Sequence, residues 1–465
     1  MLSHVIEKEL KDCLYGYRSL LILILSVVLF SLAIYTGARR YQGDLQEYRL
    51  AEASLRQTLS DEITLYALST FVFNVVKPPA MLGILVGGAD LLSPRVYNFR
   101  LYTLPTPQGS AVSESPTVAV FGPLDLPFVV EAVLGLAALL FTFAAISGEK
   151  ETGTLKLQLA NALPKDTLLL GKLVGNLLGL LVPVAMAFVI ACLLLAGFSD
   201  VALSSEVLWR ILLLTVDFFL YLTVFFALGL CISTFTTRST TAFGVCLVAW
   251  VLLVAMVPKL AVIAANQLSP IEPLQEFEMK KADVDRRGSL RLEQEAQKYK
   301  QEHNNARTVS QAVATELLKK VREEQNAELD RLADDHALRK ERQARLALLL
   351  SRLSPAGSAS YAAMNLAGTS LERDFHFRKA LARYREQFTA YYDSKAEEIA
   401  AVTGDQPANS TVKMLRVTDL PPFQFADEPA AEAIDRALPD MGLLAVWALA
   451  LFVAAYFRFA RYDVR

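Results

Sequence analysis

The sequence has 465 residues, of which 53% are hydrophobic and 20% charged, and its formal net charge is −2. Its mean hydropathy of +0.34 is too high for a simple soluble enzyme of this size. Its long, highly charged segments equally exclude a wholly buried membrane protein. With no global basic field, we predict no nucleic-acid partner.

Residues 1–18 contain the first predicted element, an amphipathic helix. Val5, Ile6 and Leu10 alternate there with charged residues such as Glu7 and Lys8. Such a helix can lie along a membrane surface. We therefore expect a cytoplasmic elbow helix that turns into the first membrane span.

Six apolar stretches are long enough, or nearly so, to cross a bilayer as helices, which takes roughly 20 residues each. They are the predicted spans 19–37, 126–147, 168–197, 207–233, 241–262 and 441–457. The predicted fold class is an all-α polytopic membrane protein, with six transmembrane helices and a mainly helical extracytoplasmic domain.

Basic residues in the short loops set the predicted orientation. Lys150, Lys156 and Lys165 follow span two, Arg238 separates spans four and five, and Arg458 follows span six. Short cytoplasmic loops carry an excess of Lys and Arg. We therefore expect both termini in the cytoplasm, with 458–465 as a cytoplasmic tail.

In this orientation two long segments are expected on the side of the membrane opposite the cytoplasm. The first of them is 38–125. It contains an apolar stretch, 63–88, whose longest uninterrupted run is about 14 residues, short of a full span. An extra crossing there would move the loop after span two to the outside, so we interpret the stretch as buried or interfacial. A re-entrant or additional span remains the alternative. The Pro- and Gly-rich tract 104–127 favours extended or irregular chain over helix.

The second exported segment, 264–440, is the larger and is predicted to be mainly helical. Residues 276–352 contain no proline and only one glycine, and are rich in strong helix formers. Apolar residues recur in this stretch every four positions from Val309 to Val321, which indicates an amphipathic helix or a helical hairpin. Residues 371–402 form another predicted helix, whose aromatic side chains suit a domain core or helix contact, or alternatively a ligand platform.

Several catalytic motifs are absent from the sequence. It has no G-x-x-x-x-G-K-[ST] phosphate loop, no G-x-S-x-G and no H-E-x-x-H. The four histidines are scattered, and the two long polar segments contain no cysteine. We therefore predict no enzyme activity, no metal site and no cofactor in this chain.

The most informative stretch is Ser147–Lys172, SGEKETGTLKLQLANALPKDTLLLGK, which leads from span two into span three. Its charged residues mark the membrane surface, and its leucines form a short half-apolar segment that can dock on a partner. A solvated charged turn is the simpler alternative. The stretch resembles the cytoplasmic signature of ABC-2-type ATP-binding-cassette permeases. The matching residues are Gly148, Glu149, Lys150, Glu151, Gly153, Thr154, Leu155, Pro164, Lys165, Gly171 and Lys172.

This resemblance implies the membrane subunit of a transporter in the inner (cytoplasmic) membrane of a bacterium. Residues 148–167 would be a cytoplasmic coupling segment, with Gly148 to Glu151, Gly153 to Leu155, Pro164 and Lys165 contacting an ATPase partner. The partners implied are two copies of an ABC ATPase that carries ATP and Mg, a second permease (identical or related) and membrane lipids. Export of an unidentified substrate is the expected function.

Pro78-Pro79-Ala80 and Leu353-Ser354-Pro355-Ala356 are similar to the exported domain of a permease subgroup with a helical insertion between spans five and six. This resemblance implies an extracytoplasmic protein as a further candidate partner. Two functions compete with export. One is mechanical transmission or envelope-complex assembly without solute transport, and the other is a membrane scaffold or sensor.

Ionisable residues within spans are costly and are therefore candidates for function. Glu131 and Asp217, with Arg210 two turns before Asp217, are candidates for an intramembrane path, although pairing with other polar groups would also explain them. Gly171, Gly175 and Gly179 recur every four residues in span three, a pattern that permits close helix packing.

Overall fold

The computed structural model describes residues 2–60, 62–63, 72–101, 103–108, 123–160, 164–198, 204–302, 311–403, 415–416 and 423–462. Within them, six helical stretches are long and apolar enough to cross a membrane: Ser19–Thr58, Leu126–Thr152, Lys165–Ala196, Ser205–Phe235, Ser239–Leu268 and Ala430–Ala460. The predicted all-α polytopic fold class is confirmed.

The helices at the start of the chain and in the bundle have these bounds: α1 Leu2–Leu14, α2 Tyr17–Ser60, α3 Leu126–Phe128, α4 Gly135–Thr142, α5 Ser147–Thr152, α6 Thr154–Ala160, α7 Lys165–Ala196, α8 Ser205–Phe235, α9 Ser239–Trp250 and α10 Val257–Leu268. Two stretches between them are wound as π-helix, π1 (Val129–Leu134) in span two and π2 (Val251–Met256) in span five. The remaining helices are α11 Leu274–Glu302, α12 Gln311–Ser351, α13 Pro355–Ala367, α14 Leu371–Thr403 and α15 Ala430–Ala460, which contains span six.

The two ends of the helix bundle differ in what they carry. We call the end that holds α1 and the last turn of α15 the tail end. The opposite end is the insert end, because the first insert (residues 38–125) and the second insert (residues 264–440) arise there. Local capping fixes where spans begin at the insert end. The side chain of Asp125 accepts a hydrogen bond from the Phe128 amide at the start of span two. Ser204 accepts one from the Val207 amide at the start of span four.

The first insert begins as a direct continuation of span one, because α2 runs without a break to Ser60. Phe73–Val76 (β2), Val96–Arg100 (β3) and Thr103–Gln108 (β4) then form an antiparallel sheet in which Phe73 pairs with Phe99. A two-residue antiparallel pair joins β1 (Glu62–Ile63) to β5 (Leu415–Arg416).

The apolar stretch 63–88 forms no membrane-spanning helix in its described part. Residues 64–71 lie outside the described residues, and β2 belongs to the sheet. Met81–Ile84 forms a 3₁₀ turn whose Leu82 and Ile84 are buried beside α2. At Gly37 a Cβ atom would fall 2.1 Å from the Ile84 carbonyl oxygen, so this approach requires glycine. The stretch is therefore mostly buried in its described part, with Val72 and Asn74 exposed, which agrees with the preferred interpretation.

An aromatic core joins the first insert to α14. Phe73, Tyr97 and Phe99 of the sheet pack against Phe377 and Phe388 of α14, and Leu381 and Tyr384 belong to the same cluster. The ring centroids of Phe99 and Phe388 are 5.3 Å apart in an edge-to-face arrangement. Among the two interpretations of these aromatic residues, domain core is the one that the structure supports.

A cluster of ion pairs lies beside this core, and all of its members except the exposed Asp427 are buried or nearly so. The ammonium of Lys77 lies 2.7 Å from a carboxylate oxygen of Asp90 and 3.2 Å from one of Asp374. Arg373 binds the other Asp90 oxygen at 2.9 Å and Asp427 at 2.8 Å. These pairs link the first insert to the second, because Asp90 lies in the former and Arg373 in α14.

The second insert contains the predicted helical hairpin, formed by α11 and α12. The ion pairs Arg287–Glu328 (2.9 Å) and Arg291–Glu324 (3.4 Å) show that the two helices run antiparallel. These pairs are exposed and contribute little to stability. Contact between α12 and α10 places the hairpin directly on the end of span five.

Not all of the segment 264–440 stands apart from the bundle. Helix α13 packs among spans two, four, five and six and belongs to their hydrophobic core. Its sequence explains the burial, because PAGSASYAAMNLA contains no charged residue and its small side chains permit close contact. The segment 264–440 therefore includes one helix that lies within the bundle.

Candidate coupling site at the tail end of the bundle

The linking segment, residues 148–167 between spans two and three, is largely helical. Helix α5 ends at Thr152 and is followed by Gly153, whose φ of +78° is a left-handed conformation that favours glycine. Helix α6 follows at once, and Pro164 precedes α7. Residues 161–163 lie outside the described residues. The glycine therefore makes the sharp change of direction between the two short helices.

Lys150 attaches the linking segment to the end of span four. Its ammonium donates hydrogen bonds to the carbonyl oxygens of Thr234 (2.5 Å) and Thr236 (2.9 Å). The last carbonyls of a helix have no partner within the helix and carry partial negative charge. A lysine at this place both satisfies these carbonyls and complements their charge.

Glu151 makes the opposite contact at the start of span five. Its carboxylate accepts hydrogen bonds from the Ser239 amide (3.0 Å) and hydroxyl (2.8 Å), where α9 begins. A negative charge is favoured at a helix N-terminus. Two adjacent residues of opposite charge thus hold the two sides of the turn between spans four and five.

Glu149 belongs to a mostly buried charge cluster that includes span three and α1. The ammonium of Lys172 lies 2.7 Å from Oε1 of Glu149 and 3.1 Å from Oε1 of Glu9. Asn176 donates to the second oxygen of Glu9 at 3.0 Å, and Gln158 donates to Glu149 at 2.9 Å. The side chain of Lys172 is only 5% exposed. This one ammonium therefore joins the linking segment to the N-terminal helix.

Lys165 holds the end of span six. Its ammonium donates to the carbonyl oxygens of Ala460 (3.0 Å) and Tyr462 (2.8 Å), at the C-terminus of α15. A hydroxyl makes the corresponding contact between spans two and four, because Ser233 Oγ accepts hydrogen bonds from the amides of Ile146 and Ser147. Charged or polar groups around the linking segment thus contact the tail ends of spans three, four, five and six.

The linking segment has a buried face and an exposed face. Leu155 is fully buried in a cluster with Ile146, Leu168, Leu169, Leu230 and Phe459. Leu157, by contrast, is 71% exposed. The exposed residues around it are Glu151, Thr152, Gly153, Thr154, Lys156 and Pro164, whereas Gly148, Glu149, Lys150 and Lys165 are partly buried.

The glycines of span three face the N-terminal helix. Built Cβ atoms would approach Val5 to 2.4 Å at Gly171, Glu9 to 2.7 Å at Gly175 and the Cys13 sulfur to 2.3 Å at Gly179. The glycine face that we predicted for close packing thus lies against α1 within one chain. Helix α1 lies against span three along this whole face.

Among the described residues, no hydrogen bond joins the three intramembrane candidates to one another. Glu131 accepts a hydrogen bond from Ser360 of α13 at 2.7 Å. Arg210 binds Glu206 and the Glu428 carbonyl at the insert end. Asp217 is fully buried, and its carboxylate oxygens have no hydrogen-bond partner among the described residues.

Sequence reasoning missed the residues that receive the linking segment: Glu9, Asn176, Ser233, Thr234 and Ser239. Single polar residues at helix ends carry no pattern of their own. The sequence places the charge of Glu9 within an amphipathic helix, but it does not indicate that the partner of Glu9 is Lys172, 163 positions away.

Comparison with known proteins gives a family assignment for the chain. A family model described as ABC-2 family transporter protein matches residues 3–464. A search of curated proteins finds no match. The match covers nearly the whole sequence and agrees with the resemblance carried by the linking segment. This protein therefore belongs to the ABC-2 family of transporter proteins and is a multi-span membrane protein of the permease type.

Proposed function

We propose that this chain couples ATP hydrolysis by a separate ATPase to the export of a substrate through a dimer of permeases. The observation that carries the proposal is the linking segment, which binds the tail ends of spans three to six on one side and exposes Lys156 and Leu157 on the other. A force applied to the exposed face would reach four spans through charged hydrogen bonds and one buried leucine.

The proposal requires the tail end to lie in the cytoplasm. The basic residues of the short loops support this orientation, because Lys150, Lys156, Lys165, Arg238 and Arg458 all fall at that end. Two ATPase subunits, which would carry ATP and Mg, would then contact the linking segments of two permeases. The second permease would be identical or related to this chain.

We divide the predicted ATPase-contact residues into two proposed roles according to their contacts within the chain. We assign direct contact to the exposed strip from Thr152 to Leu157, except for the buried Leu155. We assign transmission to Glu149, Lys150 and Lys165, because their charged groups bind within the chain. Glu151 is exposed yet bound to Ser239, so it can serve in both.

A photo-crosslinking amino acid at Leu157 tests the direct contact in the full-length protein in its native membrane. We expect it to capture a protein with an ABC-type nucleotide-binding motif, identified by mass spectrometry. The same amino acid at Leu212, an exposed position within span four, is the matched control. Capture of the same ATPase at Leu212, or of no ATPase at Leu157, would refute the assignment.

Paired variants separate contact from transmission. We expect Leu157→Asp to lower co-purification with the ATPase, since it places a charge on an exposed apolar contact. We expect Glu149→Gln to preserve co-purification but to reduce stimulation of ATP hydrolysis. If Glu149→Gln alone abolishes co-purification, Glu149 is part of the contact itself and the division of roles is wrong.

Mechanical transmission without solute transport is the second candidate function. It is favoured by the α11–α12 hairpin, whose 41-residue second helix packs on α10, the last part of span five. Movement of span five would therefore move a rod of roughly 60 Å at 1.5 Å per residue. Reconstitution with the ATPase in vesicles separates the functions: ATPase coupling without movement of any tested solute would favour mechanical transmission.

A further inference from the structure

Helix α13 is held by two hydroxyl groups that bind the two π-helical stretches of the bundle. Ser360 Oγ donates to the carboxylate of Glu131 in π1 at 2.7 Å. Ser354 Oγ, at the start of α13, donates to the Leu253 carbonyl in π2. Both π stretches are flanked by helix of ordinary winding in the same span. Such short π stretches are rare and occur often at functional sites.

The π1 stretch has a further partner in span four. Tyr221 Oη donates to the Glu131 backbone carbonyl at 2.9 Å. The hydroxyl also lies 3.0 Å from where a Cβ on Gly135 would fall, so spans two and four approach closely here. Glu131 therefore contacts α13 through its side chain and span four through its backbone. Movement of either neighbour acts on the same residue.

The buried surface of α13 is smooth. It consists mainly of residues with small side chains: Ala356, Gly357, Ser358, Ala359, Ala362, Ala363 and Ala367. Small side chains let helices approach closely, and Ala and Gly have no side-chain rotamers to fix. Leu366 is the large apolar side chain of α13 that is fully buried. Withdrawal of α13 would therefore require fewer rotamer changes in the spans around it than withdrawal of a helix with many large buried side chains.

Both ends of α13 are sharp turns that connect it to long helices. At the first turn a Cβ on Gly357 would fall 2.2 Å from the Ser351 carbonyl oxygen. At the second, Gly368 has a φ of +67°. The preceding helix, α12, has 41 residues and the following helix, α14, has 33. Motion of the insert is therefore transmitted directly to α13.

A charged pair also fastens the first turn to span six. Arg352 binds both carboxylate oxygens of Asp440, at 2.6 and 2.9 Å, and Asp440 is 1% exposed. The guanidinium and the two hydroxyls thus attach α13 and its first turn to spans two, five and six. Each of these contacts is a discrete polar bond that can be made or broken.

We propose that α13 is a removable plug seated in the insert end of the bundle, and that its withdrawal opens the space between spans two, four, five and six. When Ser360 and Ser354 leave, the two π stretches lose a partner and can rewind as α-helix. The plug itself does not depend on the proposed function. Only its trigger, ATP turnover by a partner, rests on that proposal.

The first experiment measures access to the buried face of α13. In full-length protein whose four native cysteines are replaced, Ala359→Cys reports the plug and Ala187→Cys reports the rest of the bundle, since both alanines are fully buried. The protein is held in lipid nanodiscs, so both membrane faces are open to a soluble maleimide. We expect slow reaction at both positions.

Ser360→Ala and Ser354→Ala each then remove one of the two hydroxyl groups that hold α13 in place. We expect each to raise the reaction rate at position 359 about tenfold, as expected for the loss of one buried hydrogen bond, and to leave position 187 unchanged. Ser360→Thr keeps the hydroxyl, so position 359 should react as slowly in this variant as in the protein with Ser360. Unchanged rates at position 359 would show that α13 is a fixed part of the bundle. Equal increases at both positions would show general loosening. Either result would overturn the proposal.

The second experiment tests the trigger with the protein in complex with its ATPase. If the proposed function is right, ATP with vanadate should raise the reaction rate at position 359. A disulfide between Glu131→Cys and Ser360→Cys should abolish stimulation of ATP hydrolysis until it is reduced. If Ser360→Ala raises the reaction rate at position 359 but ATP with vanadate does not, the result would support the plug and count against ATP as its trigger.

Discussion

The ammonium of Lys172 lies 2.7 Å from a carboxylate oxygen of Glu149, although the two residues belong to different helices. The same ammonium lies 3.1 Å from Glu9 of α1. One positive charge thus compensates two carboxylates in a region where the second oxygen of Glu149 is buried without a hydrogen-bond partner among the described residues. Removing that charge should therefore lower the free energy of unfolding substantially.

We expect Lys172→Met to reduce the free energy of unfolding by about 3 kcal/mol, because it leaves two partly buried carboxylates without a counter-charge. It should also release α1 from span three. A maleimide would then react faster with Cys13, whose sulfur lies on the Gly179 surface. Detergent unfolding curves and the Cys13 reaction rate check both effects. Lys156→Met, on the exposed face, is the control, and an equal loss in that variant would contradict the role given to Lys172.

The contact between span one and the first insert can be tested with two glycines of one helix. In Gly37→Ala the new Cβ would fall 2.1 Å from the Ile84 carbonyl oxygen, so the 3₁₀ turn must move away. In Gly43→Ala nothing lies within 4 Å of the new Cβ. Alanine is favoured over glycine within helices by about 1 kcal/mol. We therefore expect Gly43→Ala to be neutral or stabilising and Gly37→Ala to be destabilising by about 1–3 kcal/mol.

Thermal unfolding midpoints of the two variants, measured side by side, test whether Gly37→Ala destabilises the protein and Gly43→Ala does not. If both substitutions raise the midpoint, the close approach of Gly37 to Ile84 does not persist in solution.

The ion cluster that joins the inserts predicts a strong effect of Lys77→Met. The side chain of Lys77 is 2% exposed, and its removal leaves Asp374 and Asp90 with fewer positive partners in a buried site. Breaking a buried pair in this way costs about 3–5 kcal/mol. We expect rapid proteolysis of the inserts in the otherwise intact protein. Lys281→Met, which removes an exposed pair with Glu278, should leave the cleavage rate unchanged.

The double variant Lys77→Met with Asp374→Asn gives an internal check. If the two groups interact as the distances indicate, the double variant should be less destabilised than the sum of the single variants. Simple additivity would contradict a direct interaction.

The base of the α11–α12 hairpin should weaken in acid because of His336. Its ring stacks on Phe277 with centroids 4.2 Å apart. Burial, and next the positive charge of Lys340, lower the pKa of His336 below its ordinary value of 6.5, although Glu272 acts in the opposite direction. The folded hairpin therefore binds the proton less tightly than the unfolded one. The stability contributed by neutral His336 is full above pH 6.5 and declines as the pH falls below it.

Unfolding of the full-length protein by urea at pH 7.5 and pH 5.5 measures this decline, with proteolysis between α11 and α12 as the local readout. His336→Phe retains the ring stack but cannot take up a proton, so it should show a smaller loss between the two pH values. A stabilisation of the unmodified protein at pH 5.5 would mean that the Glu272 carboxylate dominates.

The sequence predicted those parts of the molecule that depend on repeated patterns. Long apolar runs predicted the six spans. Regular spacing predicted either one amphipathic helix or a helical hairpin, and the structure has the hairpin of α11 and α12. The linking segment was found through the resemblance carried by Gly148 to Leu155 and its neighbours. These features are local, so a single stretch of sequence is enough to identify them.

The missed features depend on contacts between distant residues. Nothing in the sequence near Lys150 indicates that its partner is the end of span four, 84 positions later. The burial of α13 was equally hidden, because Pro355–Ala367 is short and its alanines suit a soluble helix as well as a buried one. The π winding at Glu131 and Leu253 also has no signature in the residues that adopt it.

Helix α2 runs from the tail end through span one and into the first insert as one unit of 44 residues. At 1.5 Å per residue it is roughly 66 Å long, about twice the thickness of a hydrocarbon core. A continuous rod of this kind has no joint at the membrane surface. Any change in the tilt of span one is therefore magnified at Ser60, and the sheet that rests on the rod must swing with it. The position of the domain outside the bundle would therefore depend on the conformational state of the membrane helices.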